Sequence, residues 1–584
     1  MNPTRPTGSS HAGPPTGRPA RSSILARRAD WQVVWFKRDL RISDHAPLME
    51  ALQQGPVLGL YLYETELLES PEWDASHSRF IAEALRELES EWTRRGGCLL
   101  LRRGETVEQL ERLHRETGFV RLWSHEETGN RLTFDRDLRV ARWCRDRGID
   151  WQERRQDGVI RRLRSRDGWA ERWARSMSGR IESSPEVLGS GRPTGLVSDG
   201  VLGPEQLGLG PVIPIELQRG GETAAREVLG SFLEERGVGY RAEMSSPLTA
   251  WTACSRLSAH LAWGCVSMRT LHQAAVHRQE ALRAMLSAGE PLDRRWSGAL
   301  ASFQARLRWH CHFMQKLEDE PRIEFENFNP VYDGLREAFT ESEEGQQRLE
   351  AWRQGRIGFP MVDACLRAVR ATGWLNFRMR ALVMSVASYH LWLHWRPTAI
   401  HLARCFLDFE PGIHFSQAQM QSGTTGINTV RIYSPTRQAL EQDPKGVFIR
   451  RWVPELVGVP DVFLAEPWRM THSQQEAARC VIGVDYPAPR IDPRRAVIEA
   501  KERIARVRSS VAAREASRRV YLRHGSRKGQ AFRGAEAEAR YRQSLLVKSP
   551  NPGLERPIGL VQQELFGSTP EDSGPESSPR IGVR

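Results

Sequence analysis

Charged side chains are sparse in a helical block between residues 352 and 456, and six polar side chains set into its apolar sequence could bind a ligand. They are Asn376, Arg378, Arg380, Asp408, Glu410 and His414. Burying a guanidinium or a carboxylate is unfavourable unless the group meets a partner. Because the block carries both signs of charge, the pattern predicts either an internal ion-pair network or a site for a polar ligand, and it does not choose between them.

A second polar run, Cys-Ser-Arg-Leu-Ser, occupies residues 254–258 ahead of an apolar segment. We expect Ser255 to cap a helix that Leu257 and Leu261 continue. Such a helix end presents free N–H groups to an anion, and the hydroxyls of Ser255 and Ser258 would add hydrogen bonds to a phosphate. An ordinary capped helix without a ligand has the same pattern, so both interpretations stay open.

Strand-like runs alternate with amphipathic helical segments in the first part of the chain. The strand-like runs cover residues 31–36, 57–63, 98–101, 119–123 and 149–151. Helices between them end in glycine, as at Gly148. This alternation predicts a doubly wound, parallel α/β sheet, and the helical spacing of apolar residues from Glu216 onward predicts an all-α domain.

Composition shifts divide the chain into six parts. We predict a disordered N-terminus at 1–29, an α/β domain at 30–188, a linker at 189–215, a helical domain at 216–500, a basic helical extension at 501–548 and a disordered tail at 549–584.

The composition favours an intracellular protein with an anionic partner. The 584 residues carry a net charge of +12, which suits a phosphate-bearing partner such as DNA. The eight cysteines form no C-x-x-C pair and there is no H-E-x-x-H motif, so we expect reduced thiols and no metal site. No apolar run reaches membrane-spanning length and no signal core is present. We therefore expect a soluble, cytoplasmic monomer that binds no membrane.

An ordered series of motifs resembles the photolyase/cryptochrome flavoproteins. From residue 352 it reads W-x-x-G-x-x-G-x-P-x-V-D-A, T-G-W, R-x-R, L-D-x-E, R-I-Y-S-P and F-I-R-R-W-x-P-E-L, and WFKRDLR at residues 35–41 is similar to the family's opening motif. The resemblance extends from Trp35 to about Asp492. It implies an N-terminal antenna-type α/β domain and a helical FAD-binding domain. The lack of clustered cysteines argues against the iron–sulfur branch of the family.

The resemblance implies which residues contact FAD. They are Tyr240, Cys254, Ser255, Arg256, Leu257, Ser258, Arg380, Asp408, Phe409, Glu410 and His414. Cys254 replaces the usual threonine of the phosphate-binding run. Arg380, paired with Asp408, is implied to favour the anionic reduced flavin FADH⁻ by Coulomb attraction, although a purely structural pair is the alternative. A second, antenna chromophore, a folate or a deazaflavin, stays unassigned.

Residues at the implied lesion pocket depart from the family pattern. The implied DNA or lesion contacts are Arg306, Trp309, His310, Phe377, Arg378 and Met420. Arg306 replaces a glutamate of the dimer-repairing relatives, and it either contacts DNA or is a solvated surface arginine. His414 falls at the position that faces flavin N5, where it either exchanges a proton with the flavin or packs in the core. Arg306 and His414 are the candidate catalytic residues.

The family's electron-transfer tryptophans are mostly absent. Only the middle member of the usual three has a counterpart, Trp395. The flavin-proximal member is lost in the run from Ile413 to Met420, and the surface member has no tryptophan match in residues 326–334. A different route would be needed. Available aromatic side chains, which pack equally well in a core, are Trp374, Tyr389 and Trp392.

Near the C-terminus, Gln562-Gln563-Glu564-Leu565-Phe566 has the form Q-x-x-L-F. It resembles the peptide by which bacterial repair proteins bind the sliding clamp, with Gln562, Leu565 and Phe566 as the contacts. A chance match is the alternative.

Two functions follow from the resemblance. One is a DNA photolyase, a carbon–carbon lyase that repairs UV-induced pyrimidine photoproducts by electron transfer from excited FADH⁻. The other is a cryptochrome-like blue-light photoreceptor without repair activity. The basic charge and the clamp-like peptide favour repair, whereas the altered lesion pocket favours the photoreceptor. The class of lesion does not follow from the sequence.

Overall fold

A computed structural model describes residues 30–189, 191, 193–212, 216–428 and 430–525. The predicted disordered N-terminus and tail, and with them Gln562, Leu565 and Phe566, lie outside the described residues.

A five-stranded parallel sheet forms the N-terminal domain. Its strands are Gln32–Phe36 (β1), Val57–Glu64 (β2), Cys98–Gly104 (β3), Arg121–His125 (β4) and Asp150–Arg154 (β5). They are ordered β3-β2-β1-β4-β5, and every neighbouring pair is parallel. Strands β1 and β2 are buried along their whole length, which explains their uninterrupted apolar sequence. The strand order reverses between β1 and β4, where the two halves of such sheets usually leave a crevice.

Helices cover both faces of this sheet. They are Ala46–Gln54 (α1), Thr65–Leu68 (α2), Ala75–Arg94 (α3), Thr106–Thr117 (α4), Arg131–Arg147 (α5) and Trp169–Met177 (α6). Helix α5 ends at Gly148, whose φ of 68° lies in the left-handed region that glycine adopts without strain. Phe119 and Ile149 are buried and apolar, but they belong to the connections that lead into β4 and β5, so the strands begin later than predicted.

The remainder of the described chain is helical. Its helices are Glu222–Glu234 (α7), Tyr240–Glu243 (α8), Ala250–Ala253 (α9), Ser258–Ala262 (α10), Met268–Ser287 (α11), Arg295–Asp319 (α12), Glu337–Glu341 (α13), Glu343–Gln354 (α14), Pro360–Thr372 (α15), Phe377–Ser385 (α16), Trp395–Cys405 (α17), Pro411–Ser422 (α18), Pro435–Gln442 (α19), Val447–Trp452 (α20), Asp461–Leu464 (α21), His472–Ala477 (α22), Pro493–Arg508 (α23) and Val511–His524 (α24). A turn of π-helix, Val386–His390, follows α16. The predicted fold class, an α/β sheet domain followed by an all-α domain, is confirmed.

The two domains share a hydrophobic core. One apolar cluster extends from Phe36 and Trp92 beside the sheet to Trp263 and Leu300 in the helical part. Because buried apolar surface joins the domains, residues of the sheet are held against the helices that carry the candidate site. None of the described helices combines the length and apolar character needed to cross a bilayer.

Candidate functional site

Arg380 and Asp408 form the charged centre of the helical domain. Arg380 lies in the first turns of α16, and Asp408 lies in the connection between α17 and α18. The Arg380 Nη2 atom is 2.7 Å from Asp408 Oδ2, and its Nε atom donates to the Leu375 carbonyl at 2.8 Å. Burial raises the pKa of Asp408, but the charge and hydrogen bond of Arg380, with a hydrogen bond from Ser258 and the charge of Arg256, outweigh that effect and lower it. The pair is therefore ionised at neutral pH.

Several buried polar atoms of Asp408, of the run before α10 and of α12, α16 and α18 have no hydrogen-bond partner among the described residues. They are Arg256 Nη1, His310 Nδ1, Asn376 Oδ1, Arg378 Nε, Asp408 Oδ1 and Gln417 Oε1. Each unpaired buried group costs about 1–3 kcal/mol. Such a concentration of donors and acceptors indicates a polar ligand rather than an ion-pair network alone. FAD, which carries phosphate oxygens and a ring with both donors and acceptors, fits this set.

The predicted phosphate-binding run has a different local structure from the expected one. Helix α10 begins at Ser258, and Leu257 occupies the N-cap position without a side-chain cap. The prediction that Ser255 caps this helix is wrong. Arg256 adopts a φ of +62°, in the left-handed region, so the chain cannot be helical from Ser255 onward.

Arg236, which the sequence analysis did not single out, holds this run in place. Its guanidinium donates to the carbonyl oxygens of Val228 at 3.0 Å, Thr252 at 2.9 Å and Ser255 at 2.7 Å, and also to that of Cys254. Burial lowers the pKa of Arg236. One side chain therefore ties the turn before α10 to helix α7.

Arg256 lies between two indole rings. Its guanidinium carbon is 4.0 Å from the Trp251 ring centroid and 4.1 Å from that of Trp374. Burial lowers the pKa of Arg256 to about 10, and the guanidinium stays charged at neutral pH. The two rings hold the guanidinium of Arg256, which has one donor unused among the described residues, within the predicted phosphate-binding run. This arrangement suits an anionic ligand.

Glu410 connects the candidate site to the sheet domain. Its Oε1 atom is 3.5 Å from Arg38 Nη1, and Arg38 Nη2 donates to the Phe409 carbonyl at 2.6 Å. Burial raises the pKa of Glu410 to about 8 although Arg38 opposes this. Glu410 and Phe409 thus face the domain interface.

The His414 ring is fixed by its hydrogen bond to the backbone. Its Nε2 atom is 2.7 Å from the Ala399 carbonyl oxygen, which can only accept, so Nε2 carries the proton. Burial lowers the pKa of His414 to about 4, so the ring is neutral at pH 7 and Nδ1 is an acceptor. The aromatic rings of Phe406, Phe409 and Phe415 surround it.

Arg306 is tied to Tyr240, another predicted FAD contact. Arg306 Nη2 lies 2.8 Å from Met244 Sδ, and its guanidinium carbon is 6.0 Å from the Tyr240 ring centroid. Burial raises the pKa of Tyr240 to about 12, while Arg306 acts in the opposite direction through its charge and a hydrogen bond. The side chain of Arg306 is half-buried, so it is not a freely solvated surface arginine.

The other predicted lesion contacts lie on three helices that pack together. Trp309 and His310 belong to α12, Phe377 and Arg378 to α16, and Met420 to α18. All five are half-buried. Their partial exposure leaves surface for a further contact.

Two of the aromatic candidates for electron transfer, Trp395 and Trp392, differ in their electrostatic surroundings. Trp395 is fully buried and donates through Nε1 to Asn327 Oδ1 at 2.8 Å. Trp392 lies between the guanidinium groups of Arg336 and Arg503, whose central carbons are 4.6 and 4.7 Å from its ring centroid. Neighbouring cations disfavour the loss of an electron from Trp392.

One group among the described residues has donor atoms close enough to hold a metal ion: Asp39, His45 and His125. Asp39 Oδ2 lies 3.0 Å from His45 Nε2 and 2.7 Å from His125 Nδ1. His45 Nδ1 accepts from the Leu48 N–H at 3.2 Å, so the proton of His45 is on Nε2. A protonated nitrogen cannot ligate a metal, and hydrogen bonding accounts for the cluster.

Two family models match the chain. One, described as DNA photolyase, matches residues 32–165, and the other, described as FAD binding domain of DNA photolyase, matches residues 303–506. A deoxyribodipyrimidine photo-lyase of Streptomyces griseus is 28% identical over 493 residues, which are 82% of this chain and 98% of that protein. The chain belongs to the photolyase/cryptochrome family.

Relatives within this family include both photolyases and cryptochromes. A cryptochrome DASH of Gloeobacter violaceus is 26% identical over 506 residues, 79% of this chain and 93% of that protein. The crystal structure of a class III photolyase from Agrobacterium tumefaciens superposes with a TM-score of 0.71 at 24% identity, covering 84% of this chain and all of that one. The structure of a Synechocystis cryptochrome also gives a TM-score of 0.71, at 20% identity, over 81% and 98% of the two chains. The protein is thus an FAD-binding member of the photolyase/cryptochrome family. Because its relatives include proteins of both kinds, the comparisons do not decide between repair and photoreception.

Proposed function

We propose that this protein is a DNA photolyase that repairs UV-induced pyrimidine photoproducts in light. The observation that carries the proposal is the cluster of unpaired buried donors and acceptors around Arg380 and Asp408, next to the half-buried lesion candidates on α12, α16 and α18. A ligand at the cluster and a flipped base beside it would occupy both sets of residues.

Specific residues would hold FAD in this proposal. Arg256 contacts its phosphates, and Asp408, which the Ser258 hydroxyl also approaches, accepts a hydrogen bond from its ring through Oδ1. Bound FAD supplies the absorption of light and the electron that splits the lesion. Arg380, held by Asp408, provides the positive charge that stabilises negative charge on the ring.

Other residues would bind the damaged base. Trp309 and Met420 offer apolar surface on which an unstacked base packs, and Arg378 offers a buried N–H donor without a partner among the described residues. The Nδ1 atom of His414 is available to accept a hydrogen bond.

A second chromophore, a folate or a deazaflavin, would occupy the cleft where the strand order reverses. Tyr61, Trp263 and Phe409 contribute to the lining of that cleft. Glu127, on the same cleft, is 2.6 Å from Arg136 Nη2 and is thereby engaged in an ion pair. The structure of an archaeal photolyase from Sulfolobus tokodaii contains two FAD molecules.

The rival function is that of a cryptochrome-like photoreceptor. It is favoured by Arg306, which stands at the position of the repair glutamate and contacts Tyr240 and Met244. In this case light changes the state of the flavin and a partner detects the change. The clamp-binding peptide at Gln562, Leu565 and Phe566 stays a prediction.

Illumination of reduced, FAD-loaded protein with damaged DNA distinguishes the two functions. One duplex would carry a cyclobutane dimer and another a (6-4) photoproduct, with dark samples alongside. Loss of either lesion only in light establishes a photolyase, whereas flavin photoreduction without repair of either establishes the photoreceptor. Arg306→Gln, compared with Arg308→Gln two residues away on α12, then tests whether Arg306 takes part in repair.

A further inference from the structure

The hairpin of α23 and α24 (residues 493–524, hereafter the C-terminal hairpin) is fixed to the helical domain along its inner side. Ala500 and Ile504 of α23 are buried in an apolar cluster with Tyr389 and Trp392. Arg508 Nη2 donates to the Asn428 carbonyl at 3.0 Å. The first helix is therefore a rigid part of the domain.

Helix α24 is attached by its own contacts. Its buried side chains are Ala513, Ala516, Val520 and His524. Ser517 Oγ accepts from Asn329 Nδ2 at 3.0 Å, and His524 pairs with Glu320 at the end of α12. Both helices of the hairpin thus present a defined outer side to solvent.

That outer side is strongly basic. Residues 492–524 contain ten arginine or lysine and four aspartate or glutamate side chains, a net charge of +6. Arg506, Arg514 and Arg519 are exposed, and no carboxylate of the described residues lies within 4 Å of their guanidinium nitrogens. The buried alanines of α24 face the protein, and its arginines lie on the other sides of the helix.

Some exposed arginines elsewhere in the protein pair with a carboxylate. On α4 and α5, Arg112 pairs with Glu116 at 3.1 Å, and Arg115 and Arg147 both pair with Glu111 at 3.6 and 3.0 Å. Arg506, Arg514 and Arg519 lack such a pair among the described residues, so their charges are available to an anionic partner.

We propose that the outer side of the C-terminal hairpin is a DNA-binding surface that contacts the phosphates of duplex beyond the lesion pocket. The charge complementarity is independent of repair, but the position relative to the lesion rests on the proposed function. Trp309 and Glu320 are eleven residues apart along α12, about 16 Å at 1.5 Å per residue. At 3.4 Å per base pair, a duplex covers that distance in about five base pairs.

An anionic membrane carries negative charge, as DNA does, but the hairpin lacks the continuous exposed apolar side that membrane-surface helices require. Those helices bury a continuous apolar side in the bilayer. In the C-terminal hairpin that side, represented by Ala513, Ala516 and Val520, is already buried against the protein. Duplex DNA requires only the basic side.

The test compares the salt dependence of DNA binding among matched variants. Arg506→Gln/Arg514→Gln/Arg519→Gln removes three hairpin charges, and Arg112→Gln/Arg115→Gln/Arg147→Gln removes three charges from α4 and α5. The probe is an undamaged 30-base-pair duplex. Because each phosphate contact contributes about 0.9 to the slope of log affinity against log salt, the hairpin variant should lose about 2.7 from its slope. The control should keep the wild-type slope.

Equal slopes for the wild type and the hairpin variant overturn the proposal, as does an equal loss in both variants. Loss of binding to phosphatidylserine vesicles without any change on DNA also overturns it. Arg506→Lys/Arg514→Lys/Arg519→Lys keeps the charge and should keep the slope, which separates electrostatics from misfolding. Repair by the wild type is measured separately. If the wild type repairs neither lesion but the hairpin variant shows the expected change in slope, the proposed function is wrong and the DNA-binding surface is still supported.

Discussion

Arg380 engages only one oxygen of the Asp408 carboxylate. Its Nη2 atom is 2.7 Å from Oδ2, while Oδ1 is buried without a partner among the described residues. The arginine also packs on Phe406, with its guanidinium carbon 3.9 Å from the ring centroid. The fold thus fixes the charge of the pair and leaves one strong acceptor for a ligand.

Asp408→Asn should weaken FAD binding at least about tenfold, because a hydrogen bond to a charged acceptor contributes about 1.5–3 kcal/mol. Titration of the apoprotein with FAD measures the change. Asp363→Asn is the control: Asp363 on α15 accepts from Tyr486 and from the backbone N–H groups of Ile357 and Gly358, so the change should lower stability without changing the FAD affinity of the folded protein. Unchanged affinity in Asp408→Asn would contradict the prediction.

Arg236→Lys should also weaken FAD binding, because a lysine cannot reach carbonyls on both sides of the turn before α10. We expect a loss of about tenfold or more in affinity, since several hydrogen bonds of a charged donor disappear together. Arg278→Lys removes an arginine whose Nε donates to one carbonyl, that of Leu233. If both variants bind FAD like the wild type, Arg236 does not shape the site.

Glu410 should make the protein less stable as the pH rises. The folded protein keeps the Glu410 proton up to about pH 8, whereas the unfolded chain releases it near pH 4.5. The free energy of unfolding therefore falls between these values, by up to about 1.4 kcal/mol per pH unit from this group.

Glu410→Gln should remove that contribution. Between pH 6 and pH 8 the wild type should lose about 2 kcal/mol more than the variant, measured by denaturant unfolding. Glu455→Gln is the control and should lose as much free energy of unfolding between pH 6 and pH 8 as the wild type. The reason is that Arg367 outweighs burial and lowers the pKa of Glu455, so this group is already ionised in that range. Identical pH profiles for the wild type and Glu410→Gln would mean that Glu410 is ionised throughout.

Trp395→Phe should slow photoreduction of bound FAD by an external reductant, and Trp392→Phe should leave it largely unchanged. The reason is that Arg336 and Arg503 flank Trp392 and disfavour its oxidation. Flavin absorbance under blue light follows the reaction, with FAD content matched between samples. The opposite ranking of the two variants would assign the route to Trp392.

The sheet domain could be predicted because each of its strands carries a local signal. β1 and β2 are buried along their full length, so their apolar runs stand out from the flanking sequence. The ends of β4 and β5 could not be placed, since a buried residue such as Phe119 looks the same in a strand and in the connection before it. The local sequence pattern indicates whether a residue is buried, but it does not indicate whether the backbone of that residue is hydrogen-bonded in a strand.

The candidate site was predictable only in part. The motifs placed Arg380 and Asp408 correctly as a pair, since they lie 2.7 Å apart. Arg236 has no local signal, because its role depends on carbonyl groups from segments that meet only in the fold. The left-handed Arg256 was missed for a related reason: two indole rings, from Trp251 and Trp374, hold its side chain, and Trp374 is distant in sequence.

The C-terminal hairpin also bears on how the chain is completed during synthesis. Strands β1 to β5 come from residues 32–154 and can pair while the rest is still being translated. The apolar cluster around Tyr389 and Trp392, by contrast, is completed when Ala500 and Ile504 arrive more than a hundred residues later. At about 5–20 residues per second, an aromatic surface stays uncovered on the nascent chain for roughly 6–22 seconds. A ribosome that stalls before Pro493 would therefore leave an aggregation-prone chain whose sheet domain is already formed.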